Sequence, residues 1–349
     1  MAIADLNETR VQNEILSTTA EAIHPGILEN ALDAHPGASI FFGKIGAVLG
    51  GQIGADGSPS GTAARAVQGE SIKVRVKLDT NGAARRLPSG YAAFSQDTSD
   101  TIRGGRANWK LYGTTAIMSG LERRNNRGAA QLADLWNHKH SDATSALVDL
   151  VAQDLFSTAS PANAITSLDS LIAAGGTTVQ GLAANTYTKW ASRGLQDKGT
   201  AIGSISFTPG VTSFASAGLA NMRKAHLNAT EGSYKPNVLI TDDNTYLYYE
   251  ASLVPQVRFT SNESVGKLGF SSLEFRDSKL FHDYYCTSGY MYFINTETLF
   301  SVYAEGAFFN MTPVMDQAFQ DAFSVKVIYQ GNLVCTGRKF NNKITGFTA

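Results

Sequence analysis

Cysteine, proline and charged residues are all scarce in this 349-residue sequence. Two cysteines, Cys286 and Cys335, are too few for a disulfide framework, so we expect both to be packing residues in a reducing cytosol. Only 17% of the residues are charged, below the usual quarter, which indicates that partners cover part of the surface. No apolar run approaches the length of a membrane span, and the N-terminus lacks a basic stretch followed by an apolar one. We therefore expect neither a membrane protein nor a secreted one.

Motifs that carry chemistry are also missing. The glycine-rich stretch GKIGAVLGGQIG matches neither a phosphate-binding loop nor a dinucleotide fingerprint, and no nucleophile elbow of the form G-x-S-x-G occurs. His138 and His140 are two residues apart on a predicted helix, so they would point to nearly opposite sides and cannot share a metal ion. Asp242, Asp243 and Asn244 lack the rest of a calcium loop and fit a helix cap. We predict no enzyme activity, no cofactor and no metal.

Charge is distributed unevenly along the chain, although the formal net charge is only −1. Residues 65–127 carry twelve Lys and Arg against five Asp and Glu, whereas residues 231–321 carry five against twelve. The near-neutral total argues against a dedicated nucleic-acid binder. The two segments are either differently charged solvated faces or surfaces through which neighbouring copies meet.

A basic strand follows an N-terminal stretch that cannot form its own core. In residues 71–80, SIKVRVKLDT, apolar side chains alternate with polar and basic ones, which predicts a strand with one apolar and one basic face. We expect it to pair with NWKLYGTTAIM, residues 108–118, as a long two-stranded excursion. Such a ribbon is marginal in water, so its apolar face needs cover from its own domain or from a neighbouring subunit. The residues before it are either an arm that becomes ordered on another surface or simple disorder.

A long helix is predicted after this excursion. Residues 119–157 contain no proline, and Gly128 is the place where the helix could kink. Apolar residues recur there at three- and four-residue steps, which indicates one buried stripe. The stripe consists of Leu132, Leu135, Trp136, Ala143, Leu147, Leu150, Val151 and Leu155.

The remaining sequence mixes helical and strand patterns. Residues 211–230 are typical of an amphipathic helix, 236–243 of a buried strand, and 244–252 of a helix that begins with an Asn cap. Beyond them, apolar and polar residues alternate between turns to the end of the chain, which predicts antiparallel sheet. The fold class is therefore α+β.

The order of these segments resembles the major capsid proteins of tailed bacteriophages, whose fold is known as Hong Kong 97-like. The resemblance is carried by SIKVRVKLDT, by ANWKLYGTTAIMSGLERRNNRG running into the long helix, and by the block PNVLITDDNTYLYYEASLVPQVRF. Each string is degenerate, so the specificity lies in their order and spacing over most of the chain. The implied regions are an N-terminal arm (1–65), an extended loop (66–118), a peripheral domain (119–194) with a spine helix (119–157), an axial domain (195–290), and closing strands of the peripheral domain (291–349).

The resemblance implies a structural subunit that assembles as hexamers and pentamers into an icosahedral head around double-stranded DNA, which it holds without sequence specificity. Assembly in the bacterial cytoplasm and a final place in the virion follow from that role. Expected partners are a portal and, because the chain starts too close to its arm to hold a scaffolding domain, a separate scaffolding protein. The resemblance leaves open whether decoration proteins also bind the shell.

In such shells the extended loop lies across a neighbouring subunit, which would cover the apolar face of the basic strand. We therefore place the inter-subunit contacts in the loop, with Trp109 as the anchor of its base. Each charged residue could instead be solvated, and Trp109 could be an ordinary core aromatic. The predicted contact residues are Lys73, Arg75, Lys77, Arg85, Arg86 and Trp109.

Two related roles stay open at this point. An encapsulin-like compartment uses the same fold to enclose enzymes, and its cargo-binding signature is not visible in this sequence. A phage tail structural protein would also be rich in β-structure and glycine, but the long helix between two sheet regions counts against it. An enzyme would require a cleft with converging titratable groups.

Overall fold

The computed structural model describes most of the chain after residue 100 and shorter segments before it. The described residues are 35–42, 52–53, 59–60, 64–78, 86, 101–125, 135–159, 161–173, 175–197, 200–253 and 273–349. The helices are α1 (Pro36–Phe42), α2 (Gly120–Asn125), α3 (Leu135–Phe156), α4 (Leu168–Leu171), α5 (Phe214–Ala229) and α6 (Asp243–Leu253). Single 3₁₀ turns lie at Thr188–Trp190, Ile202–Ser204 and Arg338–Phe340.

Seventeen strands are assigned within these described segments. They are β1 (Gln52–Ile53), β2 (Pro59–Ser60), β3 (Ala64–Val67), β4 (Ile72–Lys77), β5 (Ile102–Ala107), β6 (Lys110–Ser119), β7 (Thr178–Val179), β8 (Leu182–Ala183), β9 (Val238–Thr241), β10 (Leu273–Phe275), β11 (Ser278–His282), β12 (Met291–Ile294), β13 (Leu299–Ala304), β14 (Asn310–Met311), β15 (Met315–Asp316), β16 (Ala322–Cys335) and β17 (Asn342–Ile344). The mixture of helix and sheet confirms the predicted α+β class.

The chain divides into two compact units. Among the described residues, the first unit contains 111–125, 135–151 and 306–330, and the second contains the others. The boundaries of the five predicted regions remain predictions.

The first unit is organised around the long strand β16. Strands β6, β14 and β15 all pair with it. Tyr329 lies in its core, where the ring stacks on Phe309 at 4.8 Å between centroids and tilts against Tyr112 at 6.1 Å. The prediction that NWKLYGTTAIM pairs with the basic strand is therefore wrong, because this segment forms β6 and its partner is β16.

The start of α2 is fixed by a capping box. The Ser119 backbone N–H donates to Glu122 Oε2 at 2.8 Å, and the Glu122 N–H donates to Ser119 Oγ at 3.2 Å. The buried Glu122 carboxylate also accepts from Lys139 Nζ at 2.9 Å, which ties α2 to α3. The predicted helix over 119–157 thus begins at the expected place. Its kink at Gly128 lies outside the described residues.

The predicted apolar stripe is confirmed for three of its residues on α3, while Ala143 is half-buried and the side chains of Leu132, Leu135 and Trp136 lie outside the description. Leu147, Val151 and Leu155 are buried, as expected for residues four apart on one helix face. Leu150 is exposed and does not belong to the stripe. It precedes Val151 by one residue, which places it about 100° around the helix.

The second unit contains a mixed five-stranded sheet with the order β10-β11-β9-β12-β17. Strand β11 runs parallel to β9, and the other neighbours are antiparallel. The antiparallel prediction for the residues after 252 is confirmed for the pairs β10–β11 and β12–β17, and the one parallel pair in this sheet joins β11 to the earlier strand β9. The hairpin between β10 and β11 turns through Arg276 and Asp277, both with positive φ, as a two-residue hairpin turn requires.

Helices α5 and α6 pack with this sheet around one apolar core. Met222 on α5 joins Leu239, Phe293 and Ile344 from the strands, and all four are fully buried. Helix α6 begins at Asp243, with the Tyr246 N–H donating to the Asp242 carbonyl at 3.0 Å. The cap is therefore Asp242, two residues before the predicted Asn244.

Strand β13 lies between β3 and the end of β16, and α1 packs beside it. Ser301 Oγ on β13 donates to the Phe41 carbonyl at 2.6 Å, and the Gly37 N–H donates to Asp283 Oδ2 at 2.8 Å. Burial raises the pKa of the Asp283 carboxyl. Part of the predicted N-terminal arm, residues 35–42, is thus integrated into the second unit.

Both cysteines are buried and unbridged, which confirms their prediction as packing residues. Burial raises the pKa of Cys335 to about 12 and also raises that of Cys286. Both thiols are therefore protonated at neutral pH.

Candidate assembly interface

Strands β4 and β5 form a two-stranded antiparallel ribbon, called the basic ribbon below. Its register runs from Ile72 opposite Ala107 to Lys77 opposite Ile102. The side chains of β4 alternate strictly between buried and exposed, which confirms the predicted period of two. The buried face consists of Ile72, Val74, Val76 and, just beyond the strand, Leu78.

The apolar face of the ribbon is covered within the isolated chain. The expectation that a neighbouring subunit supplies this cover is therefore wrong for β4. The β7–β8 turn provides one contact, because the Arg106 N–H donates to the Gln180 carbonyl at 3.0 Å. A Cβ on Gly105 would lie 3.2 Å from the same oxygen, so only glycine allows this approach without adjustment.

The opposite face of the ribbon is exposed and basic. Lys73, Arg75 and Lys77 point outward on β4, and Arg106 is exposed on β5. Lys73 lies directly opposite Arg106 in the register, an arrangement of like charges that destabilises a sheet. Among the described residues, no carboxylate lies within ion-pair distance of the three β4 cations. This face is therefore electrostatically suited to an acidic surface.

Sequence inspection missed strand β5 and with it Arg106. The segment IRGGRA contains two adjacent glycines, which hide the alternation that identified β4. A usable signal was present, because Arg103 and Arg106 continue the basic character of β4 after the turn region. The glycines have different surroundings: Gly105 faces Gln180, whereas nothing lies within 4 Å of a Cβ placed on Gly104.

Trp109 lies two residues after the end of β5. Its indole Nε1 donates to the Gly69 carbonyl at 2.7 Å, which joins the residues before β4 to those after β5. The neighbouring Asn108 carbonyl accepts from the Asn332 side chain at 2.8 Å. These bonds place Trp109 at the open end of the basic ribbon, and its role as the anchor of the loop base remains a prediction.

The remaining predicted contact residues are only partly placed. Arg86 is exposed, and Arg85 lies outside the described residues. The structure thus brings Lys73, Arg75 and Lys77 together on one face. The participation of all six predicted residues in subunit contacts stays a prediction.

Buried charged groups elsewhere in the second unit serve internal contacts. Arg338 donates to the Thr177 carbonyl at 3.2 Å and to Thr177 Oγ1 at 2.9 Å, and burial lowers its pKa to about 10. Lys343 bonds the Asp169 carboxylate, and burial lowers its pKa.

Within the described segments, no group of three His, Cys, Asp or Glu could hold a metal ion. No helix there is long and apolar enough to cross a bilayer.

Several solved structures share this fold. The cyanophage A-1(L) capsid asymmetric unit aligns with a TM-score of 0.57 and 15% identity, over 82% of this chain and 91% of that chain. The capsid of the native GTA particle aligns with a TM-score of 0.51 and 12% identity, over 82% and 88%. The holo-SrpI encapsulin complex from Synechococcus elongatus PCC 7942 reaches a TM-score of 0.45 at 6% identity, too weak a likeness to argue from. No protein-family model and no curated protein matches the sequence.

At these identities the likeness establishes the fold. The chain has the Hong Kong 97-like capsid fold, as its sequence predicts. The alignments cover most of this chain and most of each capsid chain, so the fold is shared as a whole and not through one common motif.

Proposed function

We propose that this chain is the major capsid protein of a tailed bacteriophage. It assembles as hexamers and pentamers into the icosahedral head that encloses the double-stranded DNA genome. The fold supports this role through its likeness to a cyanophage capsid, although a fold alone does not determine function.

The observation that carries the proposal is the exposed face of the basic ribbon. Its like charges, Lys73 opposite Arg106 with Arg75 and Lys77 beside them, are unfavourable in an isolated chain. An acidic surface on a neighbouring copy would turn this repulsion into attraction. Residues 231–321 supply an excess of seven negative charges from the same chain. Many modest contacts of this kind, repeated by symmetry, close a shell through avidity.

The proposal extends to the partners of such a shell. A portal protein and a separate scaffolding protein would direct assembly in the bacterial cytoplasm, and decoration proteins could bind the finished virion. Packaged DNA would contact the inner surface without sequence readout. The near-neutral total charge is consistent with DNA that must be packed and released.

Negative-stain electron microscopy and sedimentation of the full-length purified chain test the assembly itself. We expect closed polyhedral particles, or hexameric and pentameric rings. A monodisperse monomer that stays unchanged when the other head proteins of the same phage are added would contradict the proposal.

A matched pair of ribbon variants tests the carrying observation. Combined Lys73→Glu, Arg75→Glu and Lys77→Glu should abolish particles, because the acidic neighbour would then be repelled. The control, Lys73→Arg with Lys77→Arg, keeps the charge and should assemble like the wild type. Equal assembly of the charge-reversed variant would show that the basic face is not an interface.

A further inference from the structure

The most exposed apolar side chain among the described residues lies on a hairpin of the first unit. Residues 313–321, PVMDQAFQD, comprise β15 and the turn that leads into β16, and all nine are exposed. Phe319 is 99% exposed, and Val314 and Met315 precede it on the same segment. Three exposed apolar side chains on one short segment are typical of a surface that is covered in a complex.

The hairpin is held in place by its own hydrogen bonds. Asp316 pairs with Phe323 across the two strands, and the Gln317 N–H donates to the Ala322 carbonyl at 3.0 Å. Asp321 closes the base: its carbonyl accepts from the Gly120 N–H at 2.7 Å, and its carboxylate bonds Arg124 at 2.7 Å. A segment ordered before docking loses little conformational entropy on binding, which favours recognition.

The hairpin is also acidic. It contains Asp316 and Asp321 and no lysine or arginine, so we call residues 313–321 the acidic hairpin. Asp321 already pairs with Arg124, so Asp316 supplies the carboxylate for the contact with a partner. Its charge and apolar character have a counterpart on the basic ribbon. Ile102, opposite Lys77, is 64% exposed on the basic face and adds an apolar patch beside the cations.

We propose that the acidic hairpin of one copy docks on the basic face of the ribbon of a second copy, with Phe319 packing against Ile102. Both surfaces are exposed in the single chain, so neither is covered by its own molecule. Opposite charge and paired apolar patches identify a second copy of this chain as the occupant. The inference rests on the proposed function and specifies which surfaces meet in the shell.

Replacement of Phe319 tests the contribution of the hairpin. Phe319→Ser should raise the protein concentration needed for assembly by about tenfold or more, because it removes an aromatic anchor from the contact. Leu247→Ser, which alters a 56% exposed side chain on α6, is the matched control and should assemble like the wild type. Both variants should keep the wild-type melting temperature, since neither side chain is buried. Wild-type assembly by Phe319→Ser would overturn the inference.

Crosslinking tests the pairing of the two surfaces. Chains carrying Ile102→Cys are mixed with chains carrying Phe319→Cys under assembly conditions and treated with a short bis-maleimide. The native Cys286 and Cys335 are buried, so the introduced thiols should react selectively. We expect covalent dimers for this mixture and none when Leu247→Cys replaces Phe319→Cys.

The outcomes separate the two proposals. Particles that form normally without the Ile102–Phe319 crosslink would overturn the docking assignment and leave the capsid function standing. A wild-type chain that forms no particle, even with its phage's other head proteins, would contradict the capsid function and the docking assignment together.

Discussion

The five-stranded sheet and the basic ribbon belong to the same unit, but their polar side chains have different partners. Those of the sheet bond within the chain, whereas those on the ribbon's outer face are exposed beside like charges. In the sheet, the buried Asn342 amide on β17 donates to the carbonyls of Gly194 and Ala225 at 2.8 and 3.0 Å. On the ribbon, the exposed Lys73 instead faces Arg106. The sheet's polar groups are satisfied within one chain, whereas the outer face of the ribbon is exposed and, under the proposed function, is covered by a neighbouring copy. Substitutions in the sheet should therefore change stability, and those on the ribbon should change assembly.

The largest effect is expected in the sheet. Phe293 is fully buried on the central strand β12, so Phe293→Ala should reduce the free energy of unfolding by about 3–5 kcal/mol. Urea unfolding of the unassembled chain measures this change. Leu247→Ala, on an exposed position of α6, should change it by no more than about 0.5 kcal/mol. Similar losses for both would remove the contrast between buried and exposed sites.

An intermediate effect is expected where the ribbon contacts the β7–β8 turn. Gly105→Val should destabilise the chain by about 1–3 kcal/mol, because its side chain would crowd the Gln180 carbonyl. Gly104→Val is the adjacent control. Its Cβ meets nothing within 4 Å, and replacing a strand glycine should stabilise by up to about 1 kcal/mol. Thermal unfolding of both variants decides the point, and equal melting temperatures would argue against a tight contact at Gly105.

The sequence predicted the elements with strong periodicity and missed those defined by long-range contacts. Alternation identified β4, and the three- and four-residue spacing identified α3 and α5. The partner of β4 was wrong because pairing depends on segments far apart in sequence, and IRGGRA has no pattern of its own. The parallel alignment of β9 and β11 likewise depends on tertiary packing.

The candidate interface was predictable only in part. The basic side of β4 follows directly from SIKVRVKLDT, so Lys73, Arg75 and Lys77 could be placed on one face. Arg106 could not be added without the register, and Ile102 could not be recognised as exposed. Phe319 gave no signal, because a lone aromatic in a polar segment is compatible with either burial or exposure.

A smaller effect should appear as a pH dependence of the free energy of unfolding, through His226 on helix α5. Burial, with help from the charges of Arg276 and Lys235, lowers the pKa of His226 below 6.5. Below pH 6.5 the unfolded chain therefore binds this proton more readily than the folded chain, and stability falls as the pH decreases. His226→Gln should weaken this fall, as measured by urea unfolding at about pH 7.5 and about pH 5.5. Identical pH slopes for variant and wild type would contradict a neutral buried His226.

The smallest effect separates stability from assembly most directly. Arg106→Glu replaces the like-charge pair with Lys73 by an opposite-charge pair, so it should stabilise the unassembled chain by about 0.2–1 kcal/mol. The same change lowers the positive charge of the basic face, so particle formation should weaken. Arg106→Gln removes the charge without reversing it. It should therefore lie between the wild type and Arg106→Glu in both stability and particle formation. A variant that gains stability and also assembles better would show that the ribbon's charges serve the chain itself and not a neighbour.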